Sequence, residues 1–230
     1  MREALIATVI LIGAYLIGAI PFGFLIGKMR GIDVRTVGSK NIGATNVFRT
    51  VGKKWGLLAF ALDFLKGFLP TLAASILVTH HSSLIADNSS LITHNSSLIT
   101  YSLPILVGVA CVVGHMLTPY MKFKGGKGVA TAFGMLVALV PGLVGVAFAV
   151  FVVFFAFSHY ISLGSCMAAL FLAVGVWFPW LGCVGYRNLP QAILVTAIAL
   201  FVIWKHRANI SRLVKGNENK IYLFKKQSPQ

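Results

Sequence analysis

The stretch ALIATVILIGAYLIGAIPFGFLI, residues 4–26, contains no charged side chain and is long enough to cross the hydrocarbon core of a bilayer. It is longer than the apolar core of a secretory signal and lacks a convincing small-residue cleavage site, so we expect a retained membrane span. The rest of the chain has the same character, being 57% hydrophobic and only 11% charged. Apolar runs recur as far as residue 204, which predicts one membrane-embedded domain over residues 1–230.

Apolar segments of helical length predict about seven transmembrane helices and an all-α integral membrane protein. The fourth and fifth segments are short, because Pro141-Gly142 divides one apolar stretch, and the two could instead form one bent helix. The predicted spans are residues 4–27, 55–79, 101–121, 129–141, 143–158, 161–184 and 189–204.

The basic residues favour two separate helices over one bent helix. The chain has 20 Lys and Arg against 5 Asp and Glu. With the N-terminus outside and separate helices, every Lys and Arg except Arg2, Arg187 and Lys66 falls on or just inside the inner face, as the positive-inside rule requires. The sequence therefore predicts an inner (plasma) membrane protein whose C-terminal segment, 205–230, is cytoplasmic. This topology explains the net charge of +15 without nucleic acid as a partner.

Residues 81–101 contain a heptad repeat, HSSLIAD, NSSLITH and NSSLITY, with neither core-like apolar content nor coiled-coil spacing. We expect an exposed, flexible outer loop. No carboxylate or thiol cluster accompanies its histidines, and Cys111, Cys166 and Cys183 lack metal-site spacing. The sequence thus predicts neither a metal site nor a disulfide framework.

The first polar segment predicted on the inner side is VGSKNIGATNVFR, residues 37–49. Its glycines permit close backbone approach, and its hydroxyl, amide and guanidinium groups suit phosphate oxygens. The alternative is a loop whose amides merely satisfy its own turns. The candidate ligand-binding residues are Gly38, Ser39, Asn41, Thr45, Asn46 and Arg49.

The second polar segment is FKGGKGVAT, residues 123–131, which immediately precedes an apolar helix. Backbone N–H groups, a helix N-terminus and two ammonium groups in one place attract anions. The spacing of a Walker P-loop is missing, so nucleotide hydrolysis is poorly supported. A positive-inside anchor is the alternative, although it would not explain the glycines. The candidates are Lys124, Gly125, Gly126, Lys127, Gly128 and Thr131.

The third polar segment is KHRANISRLVKGNE, residues 205–218, which should continue as a short interfacial helix. On a helix, His206 and Asn209 share a face. Glu218 is better suited to a salt bridge than to acid catalysis, and Arg207 could contact lipid headgroups.

Three ionisable residues also lie in or near the predicted spans. Asp63 and Lys66 are spaced i, i+3 within one span, which favours a mutual ion pair. His115 lies at the inner end of its helix, just before the glycine segment, and is a further candidate ligand-binding residue.

The motifs GSKNIGATNVFR, GHMLTPYMKFKGGKGVAT and HRANISRLVKGNE occur in an order that resembles the bacterial acyl-phosphate-dependent glycerol-3-phosphate acyltransferase family. The segments LDFLKGFLP and YISLGS are similar to further parts of that family, so the resemblance spans nearly the whole chain. It implies a seven-helix membrane enzyme that moves a fatty acyl group from acyl phosphate to the first hydroxyl of glycerol 3-phosphate. The products would be lysophosphatidate and phosphate, with no metal or other cofactor.

The resemblance implicates Ser39, Arg49, Lys127 with its surrounding glycines, Ser165, His206 and Asn209. Combined with the segments above, it predicts catalytic roles for Ser39, Lys127, His206 and Asn209. The predicted substrate-binding residues are Gly38, Asn41, Thr45, Asn46, Arg49, His115, Lys124, Gly125, Gly126, Gly128, Thr131 and Ser165. The expected partners are acyl phosphate, glycerol 3-phosphate and the lipid bilayer, and the soluble enzyme that makes acyl phosphate is a candidate.

Two features depart from the family pattern. Family members usually have glycine where Lys40 stands, so Lys40 would reduce activity if that position requires a positive φ or close substrate approach. The heptad repeat resembles an insertion into a short outer loop, on the face opposite the motifs.

A rival function is a transporter of phosphorylated small molecules, which would also use cations and glycine breaks. A transporter site is expected near the bilayer midplane, whereas the polar clusters here, apart from Asp63 and Lys66, are predicted on one face. No HxxxxD pattern occurs, which argues against the soluble type of acyltransferase mechanism.

Overall fold

The computed structural model describes residues 2–86, 94–178 and 189–221, and every regular element within these ranges is a helix. This confirms the all-α prediction, and helices suit a bilayer because they satisfy their own backbone hydrogen bonds. The helices are α1 Arg2–Ala19, α2 Phe22–Met29, α3 Ala44–Thr50, α4 Lys53–Ala86, α5 His94–Met116, α6 Val129–Leu139, α7 Pro141–Ser158, α8 Ile161–Gly175, α9 Leu189–Lys205 and α10 Arg207–Val214, with a 3₁₀ turn at Pro119–Met121.

Among the described residues, length and composition identify 4 segments able to cross a membrane: Leu5–Met29, Lys53–Thr79, Ser102–Met121 and Pro141–Ser158. A fifth candidate is the pair α9 and α10, which bends by 53°. Helix α6 has only 11 residues, roughly 17 Å against the roughly 30 Å of a bilayer core. The chain is therefore a multi-pass membrane protein, while the number of about seven spans stays a prediction.

Two proline breaks divide the apolar runs into separate helices. The first apolar run is two helices, because Pro21 lacks the N–H that would continue α1. The predicted division at Pro141 is confirmed, since α6 ends at Leu139 and α7 begins at Pro141.

The predicted loop over 81–101 is wrong at both ends, since α4 continues to Ala86 and α5 begins at His94. The prediction rested on apolar content, whereas a helix that has already formed can continue into polar residues because each added residue costs less than starting a new helix. Residues 87–93 lie outside the described ranges, as do Cys183, Arg187, the end of the predicted 161–184 span and residues 222–230 of the predicted cytoplasmic segment.

The chain divides into two compact units, residues 1–139 and 140–230. In unit 1, α4 packs against α3, α5 and α6, and α1 packs against α5. A Cβ on Gly67 would collide with the carbonyl oxygen of Thr131, and one on Gly134 would collide with that of Phe64. Small residues let membrane helices approach at backbone distance. This contact fixes the start of α6 against the middle of α4.

In unit 2, α8 packs against α7, α9 and α10. Gly164 faces the side chain and carbonyl of Phe151, where a larger residue would not fit without a shift. The chain after α10 returns to the start of α8, because the Ile221 N–H donates to the His159 carbonyl at 2.8 Å. The third polar segment is thereby held against α8.

Candidate active site

Asn46 organises the first polar loop. Its side chain is 1% exposed, and its Nδ2 donates to the carbonyls of Val34 at 2.7 Å and Val37 at 3.2 Å. Its Oδ1 accepts from the Ser39 N–H at 2.9 Å. Backbone carbonyls accept from the Asn46 amide, so this side chain shapes the loop, and its predicted contact with substrate stays a prediction.

Gly38 and Lys40 both have left-handed backbone conformations, and the turn that they form with Ser39 is exposed. Gly38 has φ +59°, and a Cβ there would collide with Asn46 Oδ1 and Thr50. Lys40 has φ +56°, a left-handed conformation that costs a non-glycine residue energy. Ser39 and Lys40 are both exposed. The loop thus presents a hydroxyl and an ammonium group to its surroundings.

Thr45 and Arg49 lie one turn apart on α3 and so share a face. Both are half-buried. The Oδ1 of Asn41 accepts from the Gly43 N–H at 2.8 Å, which forms the turn that leads into this helix. Loop and helix together place a hydroxyl and a guanidinium group on one surface.

The glycine segment is attached to the end of α5. The Gly125 N–H donates to the Met116 carbonyl at 3.0 Å, and the Gly126 N–H donates to the His115 carbonyl at 3.1 Å. These bonds satisfy carbonyls that a helix end leaves without partners. Both N–H groups are therefore engaged within the protein, and the substrate-binding role predicted for the two glycines stays a prediction.

The anion-attracting part of this segment is accordingly Lys127 and the start of α6. Gly128 has φ +78° and leads into the helix, and Lys127 before it is half-buried. The first N–H groups of a helix lack intrahelical partners and attract negative charge. Thr131 is fully buried, and its hydroxyl has no hydrogen-bond partner among the described residues. Lys124 is exposed.

An apolar cluster lies under the first polar segment of unit 1 and contacts the chain just before the second. Val34, Ile42 and Val47 are buried under the first loop, and Met121, just before the glycine segment, packs against them. The structure therefore brings these two predicted segments into one region of unit 1.

A buried ionic network lies in the helices of the same unit. Lys66 Nζ donates to Asp63 Oδ1 at 2.5 Å, which confirms the predicted pair. It also donates to the Ile20 carbonyl at 2.7 Å, and His115 Nδ1 lies 3.5 Å from Asp63 Oδ1. No pattern in the sequence indicates these last two contacts, which join residues distant along the chain.

His206 occupies the bend between α9 and α10. It is buried, and its Nδ1 lies 2.8 Å from the Val202 carbonyl. A carbonyl oxygen can only accept, so Nδ1 carries the hydrogen and Nε2 is the acceptor nitrogen of the neutral ring. His206 is the N-cap residue of α10, and Asn209 lies in the first turn of that helix, so their predicted shared face stays a prediction.

Glu218 collects the polar groups around the third segment. Its Oε1 accepts from Asn209 Nδ2 at 2.7 Å and from the Ser162 hydroxyl at 3.1 Å, and its Oε2 accepts from Arg212 Nε at 2.7 Å. Burial raises the pKa of Glu218, but the hydrogen bonds from Asn209 and Arg212 and the charge of Arg212 outweigh it and leave the pKa below its ordinary value. The predicted salt-bridge role is confirmed, and the group is ionised at neutral pH.

Comparison with known proteins identifies the family. The family model described as glycerol-3-phosphate acyltransferase matches residues 8–216. The chain belongs to this family. The glycerol-3-phosphate acyltransferase of Trichlorobacter lovleyi is 44% identical over 209 residues, covering 90% of this chain and 94% of the relative. That of Endomicrobium trichonymphae is 40% identical over 226 residues, covering 97% and 100%.

A solved structure of the family is similar as well. The crystal structure of PlsY (YgiH), an integral membrane glycerol 3-phosphate acyltransferase in its glycerol 3-phosphate form, is 36% identical to this chain. The similarity has a TM-score of 0.76 and covers 95% of this chain and 99% of the other.

In this member of the glycerol-3-phosphate acyltransferase family, the predicted site residues divide between the two units. Unit 2 holds Ser165, His206 and Asn209, and Ser165 is half-buried on α8 three residues after Ser162. Sequence reasoning missed Ser162, whose only signal was its position in the YISLGS segment. The remaining predicted residues, from Gly38 to Thr131, belong to unit 1.

Proposed function

We propose that the chain transfers a fatty acyl group from acyl phosphate to the 1-hydroxyl of glycerol 3-phosphate, giving lysophosphatidate and inorganic phosphate for phospholipid synthesis. The observation that carries the proposal is family membership across residues 8–216, which include the first two polar motifs and all but the last two residues of the third. The geometry supports it because the first motif packs on an apolar cluster that also contacts Met121, just before the second motif, and because Arg49 and Lys127 in these motifs are both half-buried cations. The donor would come from a soluble enzyme that makes acyl phosphate.

The proposed topology has seven spans, the N-terminus outside and the motifs on the cytoplasmic face of the inner membrane. The distribution of basic residues supports it, since all but Arg2, Arg187 and Lys66 then lie on or just inside the inner face. In a cysteine-free background, the variants Asn88→Cys and Lys220→Cys should be labelled by a membrane-impermeant thiol reagent from opposite sides of the membrane. Reaction from the same side would contradict this topology.

Arg49 and Lys127 are proposed to bind and neutralise the phosphate groups, because a dianion near lipid needs cations and Arg offers a bidentate fork. Ser39, Asn209 and Lys127 would position the reacting groups. The other predicted substrate-binding residues are proposed to line or shape the binding surfaces: Gly38, Asn41, Thr45, Asn46, Lys124, Gly125, Gly126, Gly128 and Ser165. His115 and Thr131 are buried and would support these surfaces from beneath.

Transfer is proposed to be direct. The glycerol hydroxyl oxygen bonds to the acyl carbonyl carbon, the bond from that carbon to the phosphate oxygen breaks, and phosphate leaves. Cations and helix N–H groups stabilise the leaving charge, and holding both reactants in place can supply roughly 7 to 11 kcal/mol of the barrier. The hydroxyl proton goes to the donor's phosphate, whose second pKa is near 6. His206 Nε2 is the alternative acceptor.

Few residues near the motifs could support a covalent intermediate. A nucleophile needs an oriented base, and none of the three motifs contains Cys. The hydrogen bond from Arg35 lowers the pKa of Asp33 to about 2, and Glu218 is ion-paired with Arg212 at 2.7 Å. Both carboxylates are therefore committed to ion pairs.

Donor choice is the decisive test. Purified protein should form lysophosphatidate from glycerol 3-phosphate and palmitoyl phosphate without added metal, and should perform poorly with palmitoyl-CoA. Equal activity with palmitoyl-CoA, or none with palmitoyl phosphate, would refute the proposal.

Mass spectrometry tests the direct route. Protein incubated with palmitoyl phosphate alone should carry no acylated serine, and His206→Ala should weaken turnover without abolishing it. An acyl group trapped on Ser39 or Ser165 would establish a covalent intermediate instead.

A further inference from the structure

We propose that Lys66, Asp63 and His115 form a buried positioning network that fixes the glycine segment 124–128 and thereby sets where Lys127 meets a phosphate group. The inference rests on the proposed function for its kinetic readout, although its structural readouts do not depend on activity. None of the three side chains is exposed enough to meet bulk water, with exposures of 4% for Lys66, 2% for Asp63 and 4% for His115.

Lys66 connects the network to the break between α1 and α2. Its ammonium group donates to the Ile20 carbonyl at 2.7 Å and lies 5.4 Å from the centre of the Phe22 ring. Ile20 precedes Pro21, which has no N–H to donate back to a carbonyl of the preceding turn. The Ile20 carbonyl also accepts from the Phe22 N–H at 3.1 Å, so the ammonium group is a second donor to this carbonyl at the helix break.

The same break supports the first polar loop. Helix α2 begins at Phe22, and a Cβ on Gly23 would collide with the carbonyl oxygen of Ile42. Ile42 belongs to the loop that carries Ser39, so the loop rests directly on the backbone of α2. Whatever fixes the helix break also fixes the base of this loop.

His115 connects the network to the glycine segment. Its Nδ1 lies 3.5 Å from Asp63 Oδ1, and its carbonyl accepts from the Gly126 N–H at 3.1 Å. A Cβ on Gly126 would collide with Nε2 and its neighbouring ring carbons. The imidazole is thus held between the carboxylate and the backbone that leads directly into Lys127.

Packing alone does not explain three ionisable groups at this place. Charged residues within membrane helices are costly and mark functional positions, and apolar residues of similar size often replace a buried ion pair without loss of stability. Here one carboxylate is shared by an ammonium group under the first loop and an imidazole under the second. Both proposed phosphate-binding segments are thereby connected, through Lys66 and His115, to the same carboxylate.

A double-mutant cycle tests the contact between His115 and the loop. Gly126→Ala should raise the KM for at least one phosphate substrate roughly tenfold, since small misplacements of binding groups are costly. In a His115→Ala background, Gly126→Ala should add less than about twofold, because the ring that its Cβ would strike is gone.

Gly125→Ala is the matched control. Its Cβ would collide with the carbonyl oxygens of His115 and Met116, which loss of the imidazole does not relieve. Its cost should therefore be the same in both backgrounds. Independent, additive effects of His115→Ala and Gly126→Ala would overturn the proposed contact.

Removing the charges of Asp63 and Lys66 distinguishes a positioning role of the network from a purely stabilising one. Asp63→Asn and Lys66→Met should each lower the Tm, because each leaves a buried group without its charged partner. The double variant should regain a Tm close to that of the parent. Its KM for a phosphate substrate should nevertheless stay roughly tenfold raised, with kcat within about threefold of the parent, because His115 has lost the partner that orients it.

Hydrogen exchange gives a readout without activity. Peptides covering residues 122–131 should exchange faster in Asp63→Asn/Lys66→Met than in the parent, because the Gly125 and Gly126 N–H bonds to α5 loosen. A double variant with parental Tm, KM and exchange would overturn the positioning role. If the parent protein is inactive with palmitoyl phosphate, the proposed function is refuted. If the double variant nevertheless exchanges faster than the parent over residues 122–131, the positioning network remains supported.

Discussion

Units 1 and 2 each gather polar side chains around one buried carboxylate, but the carboxylate has a different place in each. In unit 1, Asp63 lies within α4, and the polar loops are shaped by Asn46 and by glycines. In unit 2, Glu218 belongs to the motif itself and directly engages Asn209 and Arg212.

This difference suggests two different roles for the acids, one in supporting ligand-binding loops and the other in holding a motif together. An acid placed beneath a loop can orient it without neutralising the cations that the loop presents. An acid within a motif accepts hydrogen bonds from that motif's own donors, which are then not available to a ligand, and it holds the segments of the motif together. Substitutions in the loops of unit 1 should therefore change turnover more than stability, and substitution of Glu218 should lower stability in a pH-dependent way.

The largest expected effect is at Arg49. Arg49→Lys should lower kcat/KM for a phosphate substrate roughly 10- to 100-fold, since hydrogen bonds to charged groups are worth about 1.5–3 kcal/mol and an ammonium group cannot reproduce a bidentate fork. Steady-state kinetics would measure the loss, with Tm as the check on folding.

Arg35→Lys is the matched control for Arg49→Lys. Arg35 belongs to the preceding part of the same loop region, but it is exposed and paired with Asp33 at 2.7 Å. Its conversion to Lys should leave kcat/KM unchanged. Parental kinetics in Arg49→Lys, or an equal loss in Arg35→Lys, would break the distinction between binding cations and surface cations in unit 1.

Glu218→Gln should lower the stability of unit 2 at neutral pH by roughly 1–3 kcal/mol, because the carboxylate's charge-assisted hydrogen bonds are weakened. The folded pKa of Glu218 lies below its ordinary value of 4.5. The stabilisation is therefore complete above pH 4.5 or so and is lost as the pH falls through the folded pKa. The Tm difference between parent and variant should be constant from pH 6 to 8 and shrink in acid.

Asp33→Asn provides the control for Glu218→Gln, since the Asp33–Arg35 pair is exposed and exposed pairs contribute little. Its Tm should change less at every pH. A Tm difference in Glu218→Gln that stays constant into strong acid would show that packing, and not charge, supports the third motif.

The smallest expected effect is at Lys40. Lys40→Gly should stabilise the first loop by at most about 1 kcal/mol, because glycine accepts a left-handed backbone while its greater freedom in the unfolded chain offsets part of the gain. The value of kcat/KM should not fall. Lys40→Asn, which also tolerates this conformation, removes the charge while keeping a side chain.

A several-fold loss of kcat/KM in both Lys40 variants would show that the ammonium group contributes to binding. The first loop would then present one more functional cation than the motif comparison indicates. Loss in Lys40→Asn alone would instead indicate that this side chain disturbs the loop.

Much of the fold followed from sequence because each helix is encoded locally. The apolar run of α7 and the break at Pro141 depend on composition and on a missing N–H group, which neighbours in the sequence supply. Helix α4 was harder, since its last residues lie in the polar repeat and its end at Ala86 is not marked by apolar content.

The candidate site was only partly predictable for a similar reason. The residue types around Ser39 and Lys127 indicated phosphate chemistry, because hydroxyl, amide and cationic groups beside glycines have few other uses together. Which of them face a ligand was not predictable. Asn46 and the N–H groups of Gly125 and Gly126 were expected to bind substrate, yet all are engaged by the protein's own backbone or side chains.

The sequence by itself determined that this chain is a helical membrane protein, that Asp63 pairs with Lys66 and that Glu218 forms a salt bridge. These properties follow from apolar run length, from helical spacing and from the small number of available partners. The tertiary structure alone decided that Lys66 reaches the Ile20 carbonyl and that His115 lies between Asp63 and Gly126. Such contacts depend on the close packing of helices distant along the chain, which no local pattern encodes.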